Sequence, residues 1–184
     1  EVRTRAAEVY RDLAARLKQQ VGDTEHGTSA ASIRSLTRPI DKILALIREE
    51  GASDLHLTVD EPPMIRQNGQ IKRRTDLPIL TAETIREAVL SILDERQKKI
   101  FLDSGELDFC HAVPEVGRYR ANAFVQRKGT CATFRVIPNV PPTFSDLRIP
   151  GQLTELLDYH QGIIVVSGPA GCGKSTTLAA IVNL

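Results

Sequence analysis

The sequence predicts a mixed α and β domain followed by the opening of an α/β unit. Three observations carry that expectation. Helical apolar spacings alternate with short extended runs as far as Ile137. The segment PNVPPT then places three prolines in six residues. Beyond it a continuous apolar run, GIIVVSG, leads through a glycine-rich loop into a helical stretch.

The elements follow in order. Val2, Ala6, Val9, Leu13, Leu17 and Val21 recur at three- and four-residue steps, one stripe of an amphipathic helix over 1–21. The small, polar segment GDTEHGTSAAS makes 22–37 a flexible linker. Pro39 suits a helix start, with Ile40, Ile43, Leu44 and Ile47 as the buried face and Gly51 as the stop. DLHLTV alternates, so Leu55, Leu57 and Val59 point inward while Asp54, His56 and Thr58 point outward, Asp54 and His56 as strand-edge residues with a structural role. Pro62-Pro63 opens a second extended run, and Asn68-Gly69 marks a hairpin turn. Thr81 is a helix N-cap, with Ile85, Val89, Ile92 and Leu93 as the core face that follows. A short helix runs from Glu95 to Leu102 and ends near Gly105.

Leu107 to Pro138 reads as three strands, the last two flanking the turn Arg127-Lys128-Gly129. A hairpin symmetric about Lys128-Gly129 sets Asn122 opposite Arg135, with Arg120 as its diagonal neighbour. Arg118, Arg120 and Arg135 then share one sheet face, either as a polyanion contact or as a solvated, salt-bridged surface. After PNVPPT come a helix near Gln152 to Tyr159, the strand GIIVVSG and a helix from Lys174.

Composition narrows the functional classes. Lys plus Arg is 24 against 23 Asp plus Glu, a formal charge of +1 that gives no general case for nucleic acid or an anionic membrane. No stretch approaches the roughly 18 to 20 apolar residues that cross a bilayer. The start lacks the apolar centre of a signal peptide, and the 3 cysteines show neither metal-ligand spacing nor an even count, which fits a reduced cytosolic setting. His26, His111 and His160 stand isolated, so no metal site is expected from them. The chain starts at Glu1 rather than a methionine and stops within a helical pattern. Both ends lead to the expectation of a piece of a longer protein.

One motif carries chemistry. Gly168-Pro169-Ala170-Gly171-Cys172-Gly173-Lys174-Ser175 satisfies GxxxxGK[ST] at every fixed position. The glycines let the backbone curl with its amides inward, and the following helix start adds a partial positive charge. Lys174 then reaches the β- and γ-phosphates of ATP, the Ser175 hydroxyl coordinates Mg²⁺, and Thr176 contacts the α-phosphate. Cys172 occupies a variable position with a packing role. Hydrolysis also needs an acidic residue on a neighbouring strand and a group that orients water, and neither is identifiable up to Leu184. This stretch alone is therefore expected to be inactive.

ASDLHL at 52–57, PPMIRQNG at 62–69, RYRANAF at 118–124, FRVIP at 134–138 and GPAGCGKSTTLAA at 168–180 occur in the order seen in secretion ATPases. Within that superfamily they resemble the type IV pilus retraction ATPases (PilT-like) over about residues 38–184, the Pro-Pro pair tilting toward the retraction branch. The resemblance implies a PAS-like domain over 38–137, a proline-rich linker over 138–145 and the beginning of a RecA-like ATPase domain over 146–184. It also implies a homo-hexamer at the cytoplasmic face of the inner membrane, working on a pilus platform protein to drive retraction and twitching motility. Arginines of one subunit approach the nucleotide of another in that arrangement, and Arg120 and Arg135 match their positions. Residues 1–37 are additional to the family pattern. Three other readings stay open: a pilus-assembly or type II secretion motor, a non-hydrolysing nucleotide-binding module, and a nucleic-acid-handling protein using the basic hairpin with Tyr119, Phe124 and Phe134.

Overall fold

Proline at the start of a helix loses no hydrogen bond, and a carboxylate in the first turn meets the positive end of the helix dipole. Helix α1, Pro39–Glu49, has both, with Asp41 in that turn, and it buries Ile40, Ile43, Leu44 and Ile47 as the spacing predicts. The computed structural model describes residues 36–158, 160–169 and 172–183, apart from the side chain of Leu156. The expected helix over 1–21, most of the linker over 22–37, and Ala170 and Gly171 of the loop lie outside those residues.

Past Gly51, strand β1 (Asp54–Leu57) pairs antiparallel with β2 (Met64–Gln67) and with β6 (Gly129–Ile137). Asn68 and Gly69, at φ of 51° and 78°, turn β2 into β3 (Gln70–Arg73) through the two-residue hairpin that this dipeptide favours. Helix α2 (Ala82–Ile92) is capped by the Thr81 hydroxyl, which accepts from the Thr84 N–H. Helix α3 (Glu95–Ser104) starts in a full capping box of Asp94 and Gln97 and stops at left-handed Gly105. Strands β4 (Glu106–Val113) and β5 (Gly117–Gln126) complete a six-stranded antiparallel sheet of order β3-β2-β1-β6-β5-β4.

The helices pack on one face of this sheet: α1 against β1, α2 against β6, α3 against β4. Side chains alternate along a strand, so Leu55, Tyr119, Ala121 and Phe134 enter the core while Arg118, Arg120 and Arg135 stand on the opposite face. Polar ties hold helix to sheet, among them the bond from Arg48 Nη2 to Ile137 O at 2.8 Å. The buried Tyr119 hydroxyl donates to Leu44 O at 2.7 Å, and burial pushes its pKa to about 12. His111 Nε2 lies 2.7 Å from Asp41 Oδ1, with both side chains buried, and Arg38 Nε donates to the other Asp41 oxygen. His111 is thus not the isolated histidine that sequence spacing suggests. Its partner is 70 residues away.

The chain divides into two compact units, the first ending at Ile137 and the second beginning at Pro138. Two expected elements of the second unit differ. The stretch over 152–159 is a 3₁₀ helix, Gly151–Asp158, held by short-range bonds such as Leu153 N–H to Pro150 O, while Tyr159 lies outside the described residues. Its Leu153 and Leu157 are exposed, so these two contribute no apolar packing toward a full α-helix. GIIVVSG forms no strand, and Ile163 and Val165 are 90% and 78% exposed. A strand exists through its ladder partners, and the described residues of this unit supply none.

Candidate functional site

The second unit builds its chemistry on backbone shape. Gly168, at φ 153°, lies so close to Cys172 that a Cβ there would come within 2.7 Å of its sulfur. Gly173, at φ 92°, is the left-handed N-cap of helix α4, Lys174–Val182. Thr177 N–H makes the bond to Gly173 O, so the donors of Lys174, Ser175 and Thr176 belong to the open first turn. The Ser175 and Thr176 side chains are exposed there. Lys174 Nζ folds onto the loop and donates to Pro169 O at 2.7 Å. Two glycines at positive φ, a helix N-terminus and a lysine held against the loop backbone fit a phosphate group. Magnesium, if present, would find an oxygen ligand in Ser175.

The first unit gathers its charges on the open sheet face. The β5–β6 turn holds two residues, Arg127 and Lys128, because Gln126 pairs with Gly129. Arg120 therefore stands directly opposite Arg135, and Asn122 opposite Thr133. The expected pairing of Asn122 with Arg135 is off by two residues. An even slip keeps every side chain on its face, so the three arginines still share one. An open pocket of about 200 Å³ there is lined by Asp54, Asp108, Arg120, Asn122, Thr133 and Arg135. Arg118 lies further along the face, opposite Ile137, and does not line it.

Asp54 and His56, expected as strand-edge residues, lie instead on the interior strand β1. Asp54 is buried there. Its Oδ1 accepts from Arg135 Nε at 2.9 Å, while Oδ2 accepts from Ser53 Oγ at 2.8 Å and lies 3.4 Å from Arg66 Nε. Burial alone would raise the Asp54 pKa, but the hydrogen bonds from Arg135 and Ser53 and the charge of Arg135 leave it lowered. Neighbouring His56 is lowered too, first by burial, then by Arg66 and Arg135 against the opposing pull of Asp54. Its Nε2 is buried without a hydrogen-bond partner. Arg120 Nη2 meets Asp108 more loosely, at 3.7 Å between two exposed side chains.

Tyr119 and Phe134 are fully buried on the helix side, leaving Phe124 alone of the three aromatics on the arginine face. A stacking platform for bases needs aromatic faces in the open, and this hairpin withholds two of them. Among the described residues no helix is long and apolar enough to cross a membrane, and no group of three or more His, Cys, Asp or Glu side chains could hold a metal ion.

Residues 29–184 match the family described as type II/IV secretion system protein. A type IV pilus retraction ATPase, PilT, of Pseudomonas aeruginosa is 41% identical over 144 residues, which is 78% of this chain and 42% of that protein. A twitching motility protein of Neisseria gonorrhoeae is 40% identical over 121 residues, covering 66% of this chain and 32% of its own length. The crystal structure of the pilus retraction motor PilT with bound ADP superposes with a TM-score of 0.73 at 38% identity, over 80% of this chain and 43% of that one. The chain thus spans less than half the length of these relatives.

Proposed function

The chain belongs to the type II/IV secretion system protein family, and from that premise we propose that the intact protein is an ATP-hydrolysing motor for type IV pilus retraction. The observation that carries the proposal is the pair of positive-φ glycines, Gly168 and Gly173, leading into helix α4, in a chain similar to a pilus retraction ATPase. Residues Gly168 to Thr176 hold the nucleotide, Lys174 by charge and Ser175 by its hydroxyl toward Mg²⁺. The metal, when bound, offsets the charge of the β- and γ-phosphates.

In this reading residues 38–137 are a PAS-like domain, 138–145 a linker, and 146–184 the opening of a RecA-like ATPase domain. Arg120 and Arg135 reach the phosphates bound by another copy within a homo-hexamer. The ring works at the cytoplasmic face of the inner membrane on a platform protein at the pilus base, and the cycle withdraws pilin subunits. Catalytic carboxylates and a histidine segment come from outside this stretch.

A deletion strain tests the direction of force. Retraction requires that cells lacking the gene carry excess pili and lose twitching. A strain without pili would assign the same chemistry to assembly instead.

A further inference from the structure

We infer that Asp54 is a positioning residue for Arg135, an inference that rests on the reading of Arg135 as a phosphate contact. Asp54 and Arg135 are directly paired residues of neighbouring strands, β1 and β6, on the open face of the sheet. The carboxylate is nearly inaccessible, with 5% of its side chain exposed, whereas 68% of the arginine side chain is in solvent. The bond runs through Nε, at 2.9 Å. An arginine held by Nε keeps its two terminal nitrogens for a second anion, whereas a bidentate pair through both would use them up.

The carboxylate is itself held. Ser53 Oγ and Arg66 Nε occupy Oδ2, so Oδ1 stays aimed at Arg135. Holding also answers a charge problem, since Arg120 directly opposite repels Arg135, and like charges in opposed positions destabilise a ladder. Without Asp54, Arg135 would swing away from Arg120 and out of line with a shared phosphate. The two arginines are therefore unequal. Arg135 is fixed by a buried carboxylate, and Arg120 rests on an exposed Asp108 that an incoming polyanion can displace.

Steady-state ATP hydrolysis by the intact protein separates the outcomes. Asp54→Asn keeps the volume and removes the charge. It is expected to lower kcat on the order of tenfold, with KM for ATP nearly unchanged, because the phosphate loop is untouched. In an Arg135→Ala background the same substitution should add nothing. A further tenfold loss in that background means that Asp54 acts through the fold and overturns the inference. Ser53→Ala, at an exposed residue, is the second variant should Asp54→Asn not fold. It should give a smaller loss that again vanishes without Arg135, and an undiminished loss there counts against the inference equally. If Arg135→Ala leaves turnover unchanged, the phosphate-contact reading fails and takes this inference with it. That result is distinct from additivity between the two sites.

Discussion

Arg120 and Arg135 stand directly opposite one another on β5 and β6, yet each guanidinium has its own carboxylate, Asp108 at 3.7 Å and Asp54 at 2.9 Å. Two opposed positive charges would repel without that arrangement. A polyanion can engage both arginines from the open side while the sheet keeps its own charge balance.

Acid should weaken the first unit in two stages. His56 is depressed below its ordinary value mainly by burial, so the unfolded chain takes its proton first. Its stabilisation is complete above about pH 6.5 and is lost as pH falls through the depressed folded value. Asp54 is also depressed, so its contribution holds above about pH 3.9 and disappears below that. Thermal unfolding followed from pH 8 to pH 2 should show both losses, and Asp54→Asn should remove the second. A midpoint that stays level from pH 7 down to pH 5 would contradict the assignment for His56.

Gly129 holds the start of β6 against the N-terminal end of α2. Its φ is 131°, and a Cβ would sit 2.5 Å from the Ala82 Cβ. Gly129→Ala should cost about 1–3 kcal/mol through overpacking on top of backbone strain. Gly51, at φ 69°, has nothing within 4 Å, so Gly51→Ala should cost only about 1–2 kcal/mol of left-handed strain. Urea unfolding of the two variants side by side checks the ranking.

Much of this arrangement was legible in the sequence where the signal is local. Asn68-Gly69 marks its own turn, Thr81 its own cap, and Arg118, Arg120 and Arg135 their common face, because alternation survives an even slip in register. Long-range partners were not legible. Asp54 reads as an outward residue of an alternating strand, and its burial comes from Arg66 and Arg135, brought over it by strands that begin 10 and 75 residues later. His111 and Asp41 meet across 70 residues for the same reason. The apolar run Ile163–Val166 carries strand-forming residues, but a ladder requires neighbours that local sequence cannot provide.

The loop residues divide into shape and charge. Lys174→Ala leaves Gly168 and Gly173 in place and removes the ammonium, which sits on Pro169 O. Binding of ATP-Mg to the intact protein should weaken at least about tenfold, read by calorimetry. Ser175→Ala should instead retain binding of ATP alone and lose the gain that Mg²⁺ brings. Unchanged affinity in Lys174→Ala would move the nucleotide away from this loop.

ATP turnover by the intact protein carrying Arg120→Ala and Arg135→Ala together tests the phosphate contact most directly. If the two arginines meet the transferring phosphate, kcat should fall on the order of a thousandfold while ATP still binds through the unaltered loop. Turnover equal to that of the unsubstituted protein would rule out that contact.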